Sequence, residues 1–378
     1  MSDLDHTLNV PQGRFILHRM PHRPRELLRA FDAADEYLLN CIAEQPSNNT
    51  RLLIINDSFG ALAVALHQHQ PYAWSDSFLS QHATRLNLQL NQIDQSSVTL
   101  LSSLTELNGL FTHILIKVPK TLALLDYQLI KLKPHLTADS QIILAGMIKN
   151  LPPTVWKLTE RILGTTRTSL AEKKARLIFV TFNQTLKTPN NPYPSRYRLE
   201  HTNYHLINHA NVFSRDSLDI GTRFFLAHLP TKPNAQHIID LACGNGVIGL
   251  MAAEKNPQAQ LHFVDESFMA IASAQENFKH AFNNRIAHFQ VGDGLNEFLS
   301  NSADLILSNP PFHQQQTIGD YLAKQFFRDA KRVLKQNGEL WLVANRHLPY
   351  YSELKRLFGN CQTVASNTKF IILKSTKL

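Results

Sequence analysis

The sequence is poor in cysteine, with only three in 378 residues, at positions 41, 243 and 361. Three widely separated cysteines exclude a disulfide framework and lack the close pairs that bind zinc. The eighteen histidines do not form the i, i+4 pairs with nearby Cys or Glu that zinc requires, so no metal is expected. The chain also lacks an apolar run of about 18 residues, and its first residues lack the basic and apolar segments of a secretion signal. These absences predict a soluble cytoplasmic protein with reduced thiols.

Charge alone says little about partners. The chain has 38 basic and 30 acidic residues, a formal net charge of +8. Such a surplus is compatible with a polyanionic partner, but many soluble proteins have it simply as part of a solvated surface.

The chain is predicted to contain two α/β domains. The segment QTLKTPNNPYPSRYRLE, residues 184–200, has three prolines and places a boundary there, because proline interrupts helices and central strands. We therefore assign residues 1–190 and 197–378 to separate domains. Short β-rich runs alternate with helical stretches on both sides of the boundary, which predicts two parallel sheets with helices on both faces. The predicted strands are 52–55, 113–118, 141–145, 177–182, 237–241, 260–264, 287–291, 305–308 and 339–344.

The two halves are similar enough to predict a duplication. IIND, WSDSF and ILIKVPK in the first half follow the same order as IID, VDESF and LILSNPPF in the second. This alignment pairs Asp76 with Asp265 and Lys117 with Asn309. It also places Phe59-Gly60-Ala61 opposite Gly244-Asn245-Gly246. Different strand orders in the two halves would contradict a duplication.

A glycine-rich loop follows a predicted strand in IIDLACGNGVIGL, residues 238–250. The small residues Ala242, Gly244 and Gly246 allow a ligand to approach the backbone at the carboxyl end of the strand. Asp240 directly before the loop would repel a phosphate, and therefore favours a cationic or amine-bearing ligand.

Acidic residues follow the next two strands. Asp265 and the adjacent Glu266 stand where ribose hydroxyls are usually bound. Asp293, in Val291-Gly292-Asp293-Gly294, could accept a hydrogen bond from an adenine amino group, although a simple Gly-Asp-Gly turn is an equally good interpretation of this segment alone.

The fourth motif is Ser308-Asn309-Pro310-Pro311-Phe312. Its two prolines fix the backbone. The Asn309 side-chain oxygen and the Pro310 carbonyl could accept hydrogen bonds from an exocyclic amine and make its nitrogen more nucleophilic, while Phe312 stacks on the base.

The set DLACGNG, VDES, VGDG and NPPF resembles the class I S-adenosylmethionine-dependent methyltransferases that methylate amino groups. The resemblance covers residues 197–378, with Ala242 where the family often has glycine. It implies that Asp240, Gly244 and Gly246 border the methionine part of S-adenosylmethionine, that Asp265 binds the ribose, and that Asp293 binds the adenine. Asn309 to Phe312 would hold the substrate amine, and Phe213, Arg215 and Asp219, in a segment that closes over the cofactor, would line the pocket.

The wider context is similar to the bacterial ribosomal RNA guanine-N2 methyltransferases. The similarity lies in the segments at 208–230, 309–316 and 340–350 together with the degenerate first half. HQQ after NPPF and the run VANRHLPY most resemble the enzymes acting on large-subunit rRNA. This implies two tandem Rossmann-like class I methyltransferase domains, the N-terminal one degenerate and used to hold RNA, and N2-methylguanine as product. The alternatives are a small-subunit rRNA enzyme, a protein-glutamine methyltransferase, and a non-enzymatic RNA-binding assembly factor. We expect the first domain to have lost methyl transfer, since Lys117 offers no acceptor and adds positive charge.

Overall fold

The computed structural model describes residues 6–21, 26, 28–43, 50–310 and 316–378, without the side chains of 316–322. The chain separates into two compact units, Met1–Tyr193 and Pro194–Leu378. Among the described residues, no helix is long and apolar enough to cross a membrane.

The first unit begins with a β-hairpin and continues as an alternation of helices and strands. Its elements are β1 (Thr7–Val10), β2 (Gly13–Ile16), α1 (Ala33–Ala43), β3 (Leu52–Ile55), α2 (Ala61–Ala65), β4 (Tyr72–Ser75), α3 (Phe78–Leu90), β5 (Thr99–Ser102), β6 (Phe111–Lys117), α4 (Leu122–Leu132), β7 (Leu136–Met147), α5 (Thr154–Ile162), β8 (Thr166–Thr168) and β9 (Ala175–Val180).

The second unit repeats this plan. Its elements are β10 (Ser195–Arg198), β11 (His205–Asn208), α6 (Ile220–Leu226), β12 (His237–Leu241), α7 (Val247–Lys255), β13 (Gln260–Asp265), α8 (Phe268–Phe282), β14 (Ala287–Val291), β15 (Ala303–Ser308), α9 (Gln316–Val333), β16 (Leu334–Asn345), α10 (Tyr350–Phe358), β17 (Gln362–Ser366) and β18 (Phe370–Thr376).

Each unit contains a seven-stranded sheet, and the two sheets have the same strand order. The order is β5-β4-β3-β6-β7-β9-β8 in the first unit and β14-β13-β12-β15-β16-β18-β17 in the second. A shared order of this kind confirms the predicted duplication.

The sheets are mixed, so the prediction of two parallel sheets was wrong at one edge. β18 is antiparallel to both β16 and β17, and β9 is antiparallel to both β7 and β8. The physical reason is the short connection between β17 and β18. Asn367 accepts hydrogen bonds from the N–H groups of Lys369 (2.9 Å) and Phe370 (2.7 Å) in this tight turn. A parallel partner would need a crossover of a dozen or more residues.

The central strand of the second sheet is buried on both faces. Ile238 packs in an apolar cluster with Val247, while the next residue, Ile239, packs in a second cluster with Phe327. Because successive side chains of a strand point to opposite faces, helices cover both sides of the sheet. The carboxyl edge of the strands is therefore where a ligand can approach.

One asparagine in each unit attaches the N-terminal hairpin to the rest of the fold. Asn87 accepts from the N–H of His18 (2.9 Å) and donates to its carbonyl (3.0 Å). Asn277 makes the same pair of hydrogen bonds with Ile207, at 2.6 and 3.0 Å. The repetition of this contact is further evidence that the units are two copies of one fold.

The same two asparagines correct the predicted alignment of the loops. Each also donates to a loop carbonyl, that of Phe59 (2.8 Å) in the first unit and that of Asn245 (3.0 Å) in the second. The following residues, Gly60 and Gly246, both precede a helix with a left-handed φ, 83° and 77°. Gly60 therefore corresponds to Gly246, one position away from the pairing that the sequence suggested.

Candidate active site

The sequence motifs of the second unit meet at one edge of the sheet. Strands β14, β13, β12 and β15 are parallel neighbours. Leu241 at the end of β12 is in register with Val264 of β13 and with Ser308 of β15. Asp265 is in register with Val291 of β14. The loops that follow all four strands are thus adjacent, which is the usual ligand-binding position of an open α/β sheet.

Asp240 is fully buried and has one carboxylate oxygen without a partner. Its Oδ2 accepts a hydrogen bond from the N–H of Gly249 at 2.7 Å, whereas Oδ1 has no hydrogen-bond partner within the described part of the chain. Burial raises the pKa of Asp240 to about 8, against the opposing effect of the Gly249 N–H, and the charge of Asp265 adds to the rise. A buried oxygen of this kind favours a cationic or hydrogen-bond-donating ligand.

The glycine-rich loop presents open backbone on one side and tight packing on the other. A Cβ at Gly244, where φ is 55°, would meet no heavy atom within 4 Å, so this residue borders open space. A Cβ at Gly246 would lie 2.8 Å from Cβ of Ala274. Ala242 also has a left-handed φ of 57°, a conformation that glycine adopts with less strain. Glycine at this position would therefore relieve backbone strain.

Asp265 fixes the loop from the neighbouring strand. Its Oδ2 accepts from the N–H of Gly244 (2.9 Å) and its Oδ1 from the N–H of Ser267 (3.0 Å). Through these two hydrogen bonds Asp265 connects the end of β13 to the glycine-rich loop. The next residue, Glu266, is exposed.

Asp293 lies in the turn after β14 and is half-buried. Its Oδ2 accepts from Nδ2 of Asn296 at 2.9 Å. The turn is attached to the neighbouring strand by a hydrogen bond from the N–H of Gly292 to the carbonyl of Asp265 (3.0 Å).

The amide of Asn309 is held from one side. Its Nδ2 donates to Oγ1 of Thr222 (2.9 Å) and to Oδ2 of Asp219 (3.3 Å). Both contacts involve the nitrogen, so Oδ1 is left as the acceptor. Pro310 is buried. The predicted residues Pro311 and Phe312 lie outside the described residues.

Of the upstream residues predicted to line the pocket, Asp219 hydrogen-bonds to Asn309, whereas Phe213 is only near Asp219 in sequence. Asp219 is the N-terminal cap of α6, and its Oδ2 accepts from the N–H of Thr222 at 2.8 Å. Phe213 is 66% exposed, and Arg215 is half-buried and pairs with Asp216 at 2.7 Å. The bonds of Asp219 and Thr222 to Asn309 had no counterpart in the sequence prediction.

These residues fit S-adenosylmethionine. The unpartnered Asp240 oxygen suits its positively charged methionine part, the open side of Gly244 leaves room beside the backbone, and the Asp265 carboxylate places a hydrogen-bond acceptor next to the loop. Burial, with the charges of Asp265 and Asp240, raises the pKa of the Cys243 thiol well above its usual value, so this thiol stays protonated and is a poor nucleophile. In the described parts of the chain, no group of three or more His, Cys, Asp or Glu is arranged to hold a metal ion.

Comparisons with known proteins agree with the two-unit organisation. An RLMG N-terminal domain model matches residues 5–184, and a methyltransferase small domain model matches residues 203–374. A protein of Erwinia tasmaniensis named ribosomal RNA large subunit methyltransferase G is 50% identical over 98% of this chain and 99% of its own length. The protein of the same name from Pseudomonas aeruginosa PAO1 is 49% identical over 97% and 99%. The chain belongs to the ribosomal RNA large subunit methyltransferase G family.

A solved structure shares the fold of this family member over both units. It is the T. thermophilus 16S rRNA N2 G1207 methyltransferase in complex with AdoMet and guanosine, with a TM-score of 0.77, 19% identity and 99% of both chains covered. The fold of the chain is therefore that of two tandem class I methyltransferase domains.

The first unit has an ion cluster where the second unit has Asn309. The Nζ of Lys117, at the end of β6, lies 2.8 Å from Oδ1 of Asp32 and 2.6 Å from Oδ1 of Asp35. Burial disfavours the ammonium, but the charges of Asp35 and Asp32 outweigh burial and raise the pKa of Lys117. The prediction that Lys117 adds positive charge was therefore incomplete, because two carboxylates neutralise it.

The first unit also lacks, at the end of β4, the acidic residue that the second unit has as Asp265 at the end of β13. The N–H of Ser77 donates to Oγ of Ser75 at 3.2 Å, just as that of Ser267 donates to Asp265 (3.0 Å). Ser75 thus corresponds to Asp265, which corrects the predicted pairing of Asp76 with Asp265. With no carboxylate at this position and an ion cluster at the end of β6, the first copy is degenerate.

Proposed function

We propose that this chain transfers a methyl group from S-adenosylmethionine to the exocyclic N2 of a guanine in 23S rRNA, giving N2-methylguanine. The observation that carries the proposal is the fixed amide of Asn309 beside the glycine-rich loop of Asp240. The large-subunit substrate is supported by the name that the relatives carry. The guanine amine is supported by the structural neighbour, which is an N2 G1207 methyltransferase in complex with guanosine.

In this proposal the substrate amine is bound by the motif Ser308-Asn309-Pro310-Pro311-Phe312. The Asn309 Oδ1 and the Pro310 carbonyl accept its two N–H groups, which shifts electron density of the nitrogen away from the ring. Pro311 keeps the backbone rigid and Phe312 stacks on the base. Alignment of the amine is the main task, because the methyl donor is a positively charged sulfonium whose C–S bond breaks to leave neutral S-adenosylhomocysteine. The methylated nitrogen then releases its proton to solvent, so no general base is required.

We assign the cofactor to the remaining motif residues. S-adenosylmethionine supplies a methyl group activated by its sulfonium sulfur. Asp240, Gly244 and Gly246 border the methionine part, Asp265 binds the ribose, and Asp293 binds the adenine amino group. Further residues that we assign to the cofactor pocket are Ala242, Glu266, Phe213 and Asn309.

We infer that the reaction takes place on loosened rRNA in the cytoplasm, before ribosomal proteins cover the site. A guanine within a helix must leave its stack before its amine can reach Asn309. In this proposal the first unit, residues 1–190, holds RNA, and the second, residues 197–378, performs the transfer.

The test is transfer of a labelled methyl group to deproteinised 23S rRNA, 16S rRNA and assembled subunits, followed by nucleoside analysis. We expect N2-methylguanine in 23S rRNA and a loss of about 100-fold or more in turnover for Asn309→Ala, since one aligned acceptor is worth that much in comparable sites. Glu200→Gln, which removes an exposed ion pair with Arg223 (2.8 Å), is the matched control and should remain active.

Each other outcome identifies an alternative. Labelled 16S rRNA would indicate a small-subunit enzyme, and label in ribosomal protein would indicate a glutamine methyltransferase. Failure of calorimetry to detect S-adenosylmethionine binding would indicate an RNA-binding assembly factor. A fully active Asn309→Ala variant would refute the proposed site.

A further inference from the structure

We propose that Asp219 and Thr222 are positioning residues, which orient the Asn309 amide so that its oxygen faces the substrate amine. The inference rests on the proposed function, because it gives a reason for the orientation of a group assigned to substrate binding. Thr222 is buried and Asp219 is half-buried, and both belong to the N-terminal end of α6.

The hydrogen-bond pattern admits only one orientation of the amide. The Thr222 hydroxyl donates its single hydrogen to Oδ2 of Asp219 at 3.3 Å. Its oxygen must therefore accept from Nδ2 of Asn309, which lies at 2.9 Å. A reversed amide would place its oxygen against the carboxylate oxygen of Asp219, a repulsive contact between two acceptors, and the Thr222 hydroxyl would have to turn its hydrogen away from Asp219 to meet it. The Asp219 carboxylate thus sets the direction of the hydrogen bonds with Thr222 and Asn309, and leaves the Asn309 oxygen as an acceptor for the substrate.

The orientation matters because the two ends of an amide have opposite hydrogen-bonding character. An amide oxygen accepts from the N–H groups of the substrate, whereas an NH₂ group in its place would repel them. An amide nitrogen turned toward the substrate would abolish the activation that the site is proposed to supply. Two residues that reach the substrate only through Asn309 can therefore control turnover.

The first unit contains the same three positions with different chemistry. Asp32 precedes α1 and accepts from the N–H of Ala34 (2.9 Å), and Asp35 lies three residues after it. This is the spacing of Asp219 and Thr222, and Lys117 stands in place of Asn309. Two neighbouring carboxylates, Asp32 and Asp35, require a cationic partner such as Lys117. In the second unit the Thr222 hydroxyl accepts a hydrogen bond from the neutral Asn309 amide. Asp35 thus occurs with Lys117, whose ammonium fills the site, and Thr222 occurs with Asn309, whose amide oxygen stays available as an acceptor.

The experiment uses the full-length chain and two matched pairs of variants. Thr222→Val removes the acceptor for Asn309 at nearly constant volume, and Thr222→Ser retains it. Asp219→Ser keeps a helix-capping oxygen for the Thr222 N–H, but its shorter side chain cannot reach Asn309, and Asp219→Asn keeps the length. Melting temperature, S-adenosylmethionine affinity, KM and kcat are measured for each.

We expect Thr222→Val and Asp219→Ser to lower kcat about 10- to 100-fold at temperatures where each variant is folded, with the S-adenosylmethionine affinity of Thr222→Val within error of the parent. Thr222→Ser should restore most of the turnover, and Asp219→Asn should be intermediate. In an Asn309→Ala background, Thr222→Val should have no further effect, because its influence passes through that amide.

Two results separate this inference from the proposed function. If Asn309→Ala is inactive but Thr222→Val and Asp219→Ser keep the parental kcat, the positioning role is wrong and the site stands. An additional loss from Thr222→Val in the Asn309→Ala background would equally overturn it. If Asn309→Ala is itself fully active, the proposed site fails and the positioning role fails with it, whereas the proposed function fails only if no methyl group is transferred to 23S rRNA.

Discussion

The unpartnered carboxyl of Asp240 predicts a specific pH dependence of stability. Its pKa is 3.8 for a free side chain and about 8 in the fold, raised by burial and by the charge of Asp265. Between these values the folded chain holds a proton that the unfolded chain has released. Stability must therefore fall as the pH rises through this interval, by about 1.4 kcal/mol for each pH unit, and the dependence ends above a pH of about 8.

Asp240→Asn removes this group with almost no change in shape. The amide oxygen can still accept from the N–H of Gly249, and the cost of burying the new NH₂ group is independent of pH. The free energy of unfolding of the variant relative to the parent should therefore rise with pH. Between pH 5 and pH 7 we expect a relative gain of about 3 kcal/mol.

The assay is urea unfolding followed by fluorescence of a single tryptophan. Of the three tryptophans, Trp341 lies in the core of the second unit, so a background with Trp74→Phe and Trp156→Phe reports on that unit alone. Unfolding is repeated with S-adenosylmethionine and with methylthioadenosine, which lacks the positive charges. A difference between variant and parent that does not change with pH would refute the reasoning. If Asp240 borders the methionine part, only S-adenosylmethionine should flatten the pH dependence.

Three further substitutions test the packing and the charges. Lys117→Met should destabilise the first unit by about 3 to 5 kcal/mol, because it leaves two neighbouring carboxylates unpaired, and unfolding reported by Trp74 would measure this. Gly249→Ala should destabilise the second unit by about 1 to 3 kcal/mol, since a Cβ would overlap the Phe263 ring, and a melting temperature equal to that of the parent would contradict the packing. Lys173 and Lys174 are adjacent exposed cations of the first unit, and Lys173 also pairs with Glu36 (3.0 Å). If they contact RNA phosphates, Lys173→Glu with Lys174→Glu should weaken rRNA binding and lower its salt dependence by about one unit of slope for each lost phosphate contact; unchanged binding would show that this pair does not contact RNA.

Two central strands could be predicted from sequence because they are buried on both faces. The observed strands β3 (Leu52–Ile55) and β12 (His237–Leu241) match the predicted bounds, since continuous apolar runs between turn residues are typical of parallel strands. The strands that were missed include two inside the sheets, β4 (Tyr72–Ser75) and β18 (Phe370–Thr376), and two at the edges, β5 (Thr99–Ser102) and β17 (Gln362–Ser366). These edge strands are short and partly polar, so their pairing depends on neighbours far along the chain.

The candidate site was only partly predictable. Asp240, Gly244 and Asn309 stand out because each lies in a local motif at the end of a strand. The partners of Asn309 could not be found in the same way, since Asp219 is 90 residues away and Thr222 is 87 residues away in sequence. Their contact exists only because α6 packs beside the end of β15. A helix-capping Asp with Thr three residues later is the only local signal, and it occurs in many helices with no such role.

The two copies also show how a site can be lost while its fold is kept. Each copy bonds the residue at the end of a central strand to the start of a helix. In the second unit the bonds join an amide to a hydroxyl and a carboxylate, and in the first they join an ammonium to two carboxylates. Both arrangements satisfy the polar groups of the junction, so both stabilise it. Only the arrangement with Asn309 leaves an acceptor oxygen over. Selection for a stable fold alone would accept either one, and it is the requirement for a free acceptor that distinguishes Asn309 from Lys117.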